Sequence, residues 1–463
     1  MAGEQAKFLT GNLFWHVSVM SLAASVGLMA IFVVDFVDMI FIAMLGKAEL
    51  AAAVGYAGAI LFFTTSFGIG MAISAGALVA RALGAGDADA ARERATNALI
   101  YGTLFGVAFA IAVWMNLGWF VALLGATGDT AGLAVHYLQI VVPTLPLLLI
   151  GMVAGAILRA HGDARRAMYA TIYGGLVNAV LDPILIFGLD LELTGAALAS
   201  AAARIVIAAT SLMPLIRHYG GFTRPSPRAL ARDLLPVLAI AIPAILTQLA
   251  TPVGQAYVTR AMAEFGEAAV AGMAIVGRLT PLAFGVIFAL SGAVGPIIGQ
   301  NFGAGDMARV RGAFRAGLIF TGLFVLSVTV VLYVLRAPIA DLFTTEGLTR
   351  DLVYLFCGPL ALAFFFNGVI FVANAGFNNL GHPFTSTWIN WGRHTLGTVP
   401  LVMLGATLFG APGVLIGQAI GGVIFAVIAW RMAERVMSQP PRPAAPKPFQ
   451  RQARLLQLFH NRR

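Results

Sequence analysis

Long apolar stretches alternate along the chain with short clusters of charged residues, glycine and proline, and inside the stretches apolar and polar positions do not alternate. Cutting at the polar and Gly/Pro punctuation gives segments 13–45, 50–80, 94–122, 131–158, 165–188, 194–216, 233–262, 268–298, 312–335, 350–377, 384–408 and 412–433. A bilayer core about 30 Å thick needs about 20 apolar residues per helix. Lipid offers no partner to backbone amides, so only helices or closed barrels span it, and barrel strands would show a period of two. The pattern predicts an all-α polytopic membrane protein with twelve transmembrane helices.

Composition sharpens this. Apolar residues make up 59% of the chain and charged residues 11%, with a mean hydropathy of +0.88, far from the balance of soluble domains. The single Cys357 excludes an intramolecular disulfide framework. A net charge of +9 would suit nucleic acid, but the charge is sorted by topology instead. With the N-terminus in the cytoplasm, every Lys and Arg falls on that side except Lys47, Arg260, Arg336 and Arg350 in opposite loops and Arg204, Arg278 and Arg393 inside segments. The opposite loops carry acids such as Glu49, Asp129, Asp190, Glu267 and Asp351. This bias predicts that both termini are cytoplasmic and suits a bacterial inner membrane. No small-residue cleavage site follows the first apolar run, so that helix is expected to be retained. The Pro-rich basic tail, 438–463, reads as a disordered cytoplasmic segment touching anionic lipid.

The chain repeats itself. Gly84-Ala85-Gly86-Asp87 recurs as Gly303-Ala304-Gly305-Asp306, and the same offset of 219 residues pairs Arg92 with Arg311, Leu99 with Leu318, Phe105 with Phe324 and Gly162 with Gly381. Six spans per half give both halves the same orientation, related by a pseudo-two-fold axis along the membrane normal, with any cavity between them. The expected division is an N-lobe at 1–216, a cytoplasmic linker at 217–232, a C-lobe at 233–437 and the tail. Gly84, Gly86, Gly303 and Gly305 are read as turn glycines supplying positive φ. Asp87 and Asp306 then cap the next helix or pair with Arg92 and Arg311.

Three carboxylates fall well inside spans, Asp35, Asp38 and Asp182, all in the first half. Buried acids are costly and face a partner or a watery cavity. Asp35 and Asp38 share one helix face, as do Asn178 and Asp182. If the two faces meet, they form an oxygen-lined pocket fit for a proton or a hard cation such as Na⁺. Shifted by 220 residues in the first span and 219 in the fifth, these four positions become Gln255, Val258, Gly397 and Leu401, so the scaffold does not itself require the acids. An alternative is that Asp38 or Asp182 only pairs with Arg204. Arg278 and Arg393 lie in second-half spans where the first half has Gly58 and Gly174. They either line the cavity, with Gln255 and Asn367, or tether helices to loops and backbone carbonyls.

Taken together, Val37-Asp38-Met39 with Gly46, Leu158-Arg159-Ala160-His161-Gly162-Asp163, Asn178 with Leu181-Asp182-Pro183-Ile184, and Gly299-Gln300-Asn301-Phe302-Gly303-Ala304-Gly305-Asp306 resemble the multidrug and toxic compound extrusion (MATE) family, in particular its DinF-like branch. The resemblance covers nearly the whole chain outside the tail. It implies a monomeric antiporter without a cofactor, in which an inward H⁺ or Na⁺ gradient drives export of amphipathic, often cationic compounds by rocking of two lobes. It places the family's N-lobe ion site at Asp38, Asn178 and Asp182, with Tyr137 and Ser200 as its other polar members and Asp35 as an extra acid. Na⁺, if it is the coupling ion, would sit at Asp38, Asn178 and Asp182. The C-lobe acids of another branch are replaced here by Gln248, Asn367 and Asn374, and the first span lacks a proline, leaving Gly27 to absorb any bending.

Two rivals are a flippase for a lipid-linked anionic precursor, with Arg278 and Arg393 as headgroup ligands, and an intramembrane aspartyl protease, because Gly84-Ala85-Gly86-Asp87 fits a Gly-x-Gly-Asp pattern. The second places Asp87 in the membrane, yet it precedes the polar stretch running to Arg94.

Overall fold

A computed structural model describes residues 6–438; the basic tail expected from 438 onward lies, beyond its first residue, outside the described residues. Helices follow the apolar segments. The first half contains α1 (Leu13–Met44), α2 (Ala48–Gly84), α3 (Ala88–Trp114), the short α4 (Leu117–Leu123), α5 (Gly128–Val141), α6 (Leu145–Ala160), α7 (Ala164–Pro183) and α8 (Glu192–His218). The second contains α9 (Pro227–Ala263), α10 (Glu267–Gly303), α11 (Met307–Leu342), α12 (Gly347–Leu355), α13 (Ala361–Leu380), α14 (Pro383–Gly392) and α15 (Thr398–Ser438). The third span ends at Trp114 rather than 122, because Asn116 starts α4 as a separate helix.

Prolines divide two of the spans at matching places. Pro143 sits in the 3₁₀ turn between α5 and α6, and Pro359 in the π turn between α12 and α13; a proline removes one backbone donor and crowds the preceding turn. Among the described residues, eleven helical runs are long and apolar enough to cross a membrane, the last covering Pro383–Ser438. That run doubles back at Gly410, whose φ of 63° and ψ of −145° are open to glycine. On either side of the reversal, Gly405 packs on Gly413, Gly417 on the Leu401 carbonyl and Gly421 on the Gly397 carbonyl, the antiparallel register of a tight helical hairpin. The chain therefore makes twelve crossings in two six-helix lobes.

Matching caps confirm the repeat. Asp87 accepts a hydrogen bond from Ala90 N at 3.0 Å, and Asp306 one from Arg309 N at 2.9 Å, each satisfying an orphan amide at a helix start. Arg92 pairs with Asp89. Gly86 and Gly305 have positive φ as expected, at 71° and 79°. Gly84 and Gly303 do not serve the turn. Both are helical, and each is the point where α2 and α10 touch: a Cβ on Gly84 would overlap the Gln300 carbonyl, and one on Gly303 the Arg81 carbonyl.

Around this contact the lobes are stitched together at the basic end. Arg81 donates to the Asn379 and Asn378 carbonyls at 2.9 and 2.8 Å, Gln300 Nε2 to the Ala160 carbonyl at 2.7 Å, and Asn97 Nδ2 to Asp233 at 2.8 Å. The segment before α1 is threaded through the same seam. Lys7 Nζ reaches the Gly162 carbonyl at 3.0 Å, and Phe8, only 1% exposed, donates its N–H to Gln300 Oε1 at 2.9 Å. Its carbonyl accepts from Asn301 and Arg309.

At the opposite end the same faces part. On α2, the exposed Ala52, Gly55, Ala59 and Phe62 continue by helical spacing to Gly70, Ser74, Arg81 and Gly84, which pack on the second lobe. On α10 every residue from Ala293 to Asn301 is buried, while Ala274, Arg278, Phe288 and Gly292, on the face leading to Gly299 and Gly303, are exposed. The lobes thus enclose a cleft that opens at the end bearing the acidic loops and closes just below Gly292.

Candidate functional site

α1 and α7 approach closely because glycine stands where they meet. A Cβ at Gly27 would lie 2.6 Å from Thr171 Oγ1, and one at Gly175 3.0 Å from Val34 Cγ2. This packing brings Asp38, one turn beyond Val34, against Asn178 and Asp182, which follow Gly175 on one face of α7. Asn178 and Asp182 are buried and Asp38 is half-buried. With its amide oriented to donate, Asn178 Nδ2 lies 3.0 and 3.2 Å from the two Asp38 carboxylate oxygens. Neither Asp182 oxygen receives an N–H or hydroxyl hydrogen bond among the described residues; its polar neighbour is the Asp38 carboxyl, within hydrogen-bonding reach. Ionised carboxylates only accept hydrogen bonds, so this contact holds when the pair carries a proton.

The residue after Asp182 shapes the site further. Pro183 interrupts the backbone ladder, and Ile184–Gly188 wind as a π turn closed by Leu189 N to the Ile184 carbonyl at 2.9 Å. Widened turns of this kind recur at functional sites. Tyr137 is buried on α5 with its hydroxyl near Ser200 of α8, so those two positions are also neighbours. Arg204 does not pair with the acids. Its Nη1 donates to the Val141 carbonyl and to Thr144 Oγ1, both at 2.9 Å, at the 3₁₀ turn that joins α5 to α6. Asp35 is exposed and stands outside the hydrogen-bonded set.

The counterparts in the second lobe are apolar. Val258 is fully buried, and Gly397 packs on the Phe425 ring. Polar side chains cluster instead between α13 and α14, where Asn390 Nδ2 meets Asn374 Oδ1 at 3.3 Å and Ser386 Oγ meets Asn378 Oδ1 at 3.4 Å. Gln255 is exposed and accepts from Gln418 at 3.4 Å, and Asn367 is half-buried. Arg393 is half-buried, while Arg278 is exposed on the cleft face of α10. Neither guanidinium meets an acceptor among the described residues, so neither tethers a helix in the way the sequence allowed. Arg159, counted from the sequence among the bases of the cytoplasmic side, lies instead between the lobes, its Nε beside Gly292 at the cleft floor. Comparing it with its repeat partner Asn378 would have flagged it, since charge appears there in one half only.

Comparisons with known proteins agree with this architecture. The MatE family profile matches residues 23–184 and 243–404, two segments separated by the spacing of the internal repeat to within one residue. A relative from Shewanella oneidensis, an FAD transporter, is 27% identical over 426 residues, covering 90% of this chain and 93% of its own. The multidrug export protein MepA of Staphylococcus aureus is 22% identical over the same length, with the same coverage. Among solved structures, the D35N mutant of the Vibrio cholerae MATE transporter VcmN superposes with a TM-score of 0.87 at 25% identity, covering 92% of this chain and 99% of its own. An outward-facing multidrug resistance MATE transporter of the MOP superfamily gives 0.87 at 22% identity, covering 95% and 98%. With matched segments spanning most of both lobes, the chain belongs to the MatE family of secondary membrane transporters and is not an enzyme.

Proposed function

We propose that this protein is a proton-coupled antiporter that exports amphipathic organic compounds, with Asp38, Asn178 and Asp182 as its coupling site and Tyr137, Ser200 and Asp35 as the polar surround. The observation that carries this reading is the contact of Asp38 with both Asn178 and Asp182. With one proton the pair is held together and clasps α1 to α7; without it two like charges repel across a gap that little water reaches. Because α1 also packs on the second lobe, with Met29 against Gly285 of α10, separation of the pair would shift a wall of the cleft. H⁺ is favoured over Na⁺ by the Asp38–Asp182 contact, which a shared proton makes and two bare carboxylates do not. On this reading the lobes divide at the 217–232 linker, the monomer needs no cofactor, and the basic end with both termini faces the cytoplasm of a bacterial cell. The DinF-like branch is the proposed placement within the family.

In proteoliposomes, transport of a cationic dye measured separately under ΔpH and ΔNa⁺ should follow ΔpH and be lost in Asp38→Asn. Export by that variant at the wild-type rate would overturn the assignment.

A second reading has its own support. Arg278 faces the cleft without a counter-charge, and the Shewanella oneidensis relative is an FAD transporter. An anionic cargo, including the lipid-linked precursor of a flippase, would suit Arg278, whereas Arg393, Gln255 and Asn367 would furnish other polar parts of a substrate cavity.

A further inference from the structure

Arg159 occupies the lowest point of the cleft. It stands on the last turn of α6, in the first lobe, and helical side chains lean toward the helix N-terminus, here toward the open end. Its Nη1 lies 3.5 Å from where a Cβ on Gly155 would be, and its Nε lies 3.8 Å from where one on Gly292 of α10 would be. The guanidinium thus bridges the two lobes at Gly292, the last exposed residue of α10 before the buried seam.

Other arginines of the seam are held by backbone carbonyls. Arg81 binds the Asn378 and Asn379 carbonyls, and Arg309 the carbonyls of Phe8, Thr10 and Gly11. Arg159 has no hydrogen bond or ion pair among the described residues, leaving its five donors without a protein acceptor between the lobes. The repeat removes a structural demand for it: its counterpart Asn378 is uncharged and is stitched to Ser386, whose own counterpart is Ala167. One turn above Gly292, about 6 Å along the helix, Phe288 is 37% exposed on the same face, steadied by Phe364 and Phe371 at 5.8 Å each.

We infer that the cleft floor is an anion site, in which Arg159 holds the phosphate of an aromatic compound whose ring lies against Phe288. This deepens the second reading of the cargo and rests on the cleft being the transport route. A guanidinium fork matches the oxygens of a phosphate, and the exposed ring supplies a stacking surface at the distance of a short linker. Arg278, ten residues above Phe288 and nearer the mouth beyond the kink at Phe284, attracts the same charge during entry.

Riboflavin and riboflavin 5′-phosphate share one ring system and differ in the phosphate. Their binding to the full chain in phosphatidylcholine nanodiscs, free of anionic lipid, is read from quenching of flavin fluorescence. The phosphate ester should bind wild-type protein about tenfold more tightly; Arg159→Gln should bring the ratio to about one, and Arg159→Lys should recover part of it. Equal binding of the two compounds by wild-type protein would overturn the inference, as would Arg159→Gln that keeps the ratio or lowers both affinities alike. The Asp38→Asn protein separates this from the coupling proposal: a retained phosphate preference with no ΔpH-driven transport supports both, whereas a retained preference with wild-type transport sinks only the coupling site.

Discussion

The two lobes share a backbone plan but differ where it matters for chemistry. Behind α1 the first lobe holds Asp38, Asn178 and Asp182 in contact, while the second places Val258, Gly397 and Leu401 at those positions and packs them with apolar neighbours. At the basic end the lobes are alike: Gly84 and Gly303 make reciprocal contacts, and Asp87 and Asp306 cap corresponding helices. Symmetry is kept where the lobes must seal against each other and dropped where one lobe carries charge. The comparison teaches that the repeat is a closing device with a proposed coupling site added to one side.

The strongest test of the asymmetry is Asp38→Asn, for which ΔpH-driven transport should fall by about a hundredfold or more, the scale of losing a group that must exchange protons. The converse substitution, Val258→Asp, places an acid in the apolar counterpart. It should cost about 2–5 kcal/mol in a thermal unfolding assay and should not restore transport to Asp38→Asn, because no Asn178 or Asp182 stands opposite. Rescue by this second acid would show that the lobes are interchangeable. The shared end is tested by Gly84→Ala and Gly303→Ala. Each added methyl meets a carbonyl of the other lobe and should lower stability by about 1–3 kcal/mol; a large difference between the two would break the reciprocity. Smallest is the loss of the caps, with Asp87→Ala and Asp306→Ala each costing about 1 kcal/mol. Asp87→Asn keeps a capping oxygen, so its stability and transport should stay near wild type, whereas a proteolytic role would make it severe.

Much of the fold was legible in the sequence because a bilayer imposes strict local rules. Twelve apolar segments, the repeat from Gly84 to Gly303 and the caps at Asp87 and Asp306 could be read directly, since span length and capping depend on neighbours along the chain. Asp38, Asn178 and Asp182 were also readable, as acids and an amide where lipid-facing sequence tolerates few. Their contact was not, because it depends on how closely Gly27 and Gly175 let α1 and α7 approach. Arg204 was an equally reasonable partner for the acids until the fold set it against the Val141 carbonyl and the Thr144 hydroxyl instead.

By itself, then, the sequence determined that the chain crosses a membrane twelve times, in two like-oriented halves, with acids inside the first and bases inside the second. Only the tertiary structure decided that Gly84 and Gly303 are interlobe contacts rather than turn residues, that Lys7 and Phe8 are sewn into the seam, and that Arg159 ends at the floor of a cleft. Hydropathy and helix ends are set by residues a few positions apart. Which faces of two helices meet, and how closely, is set by side chains hundreds of residues away.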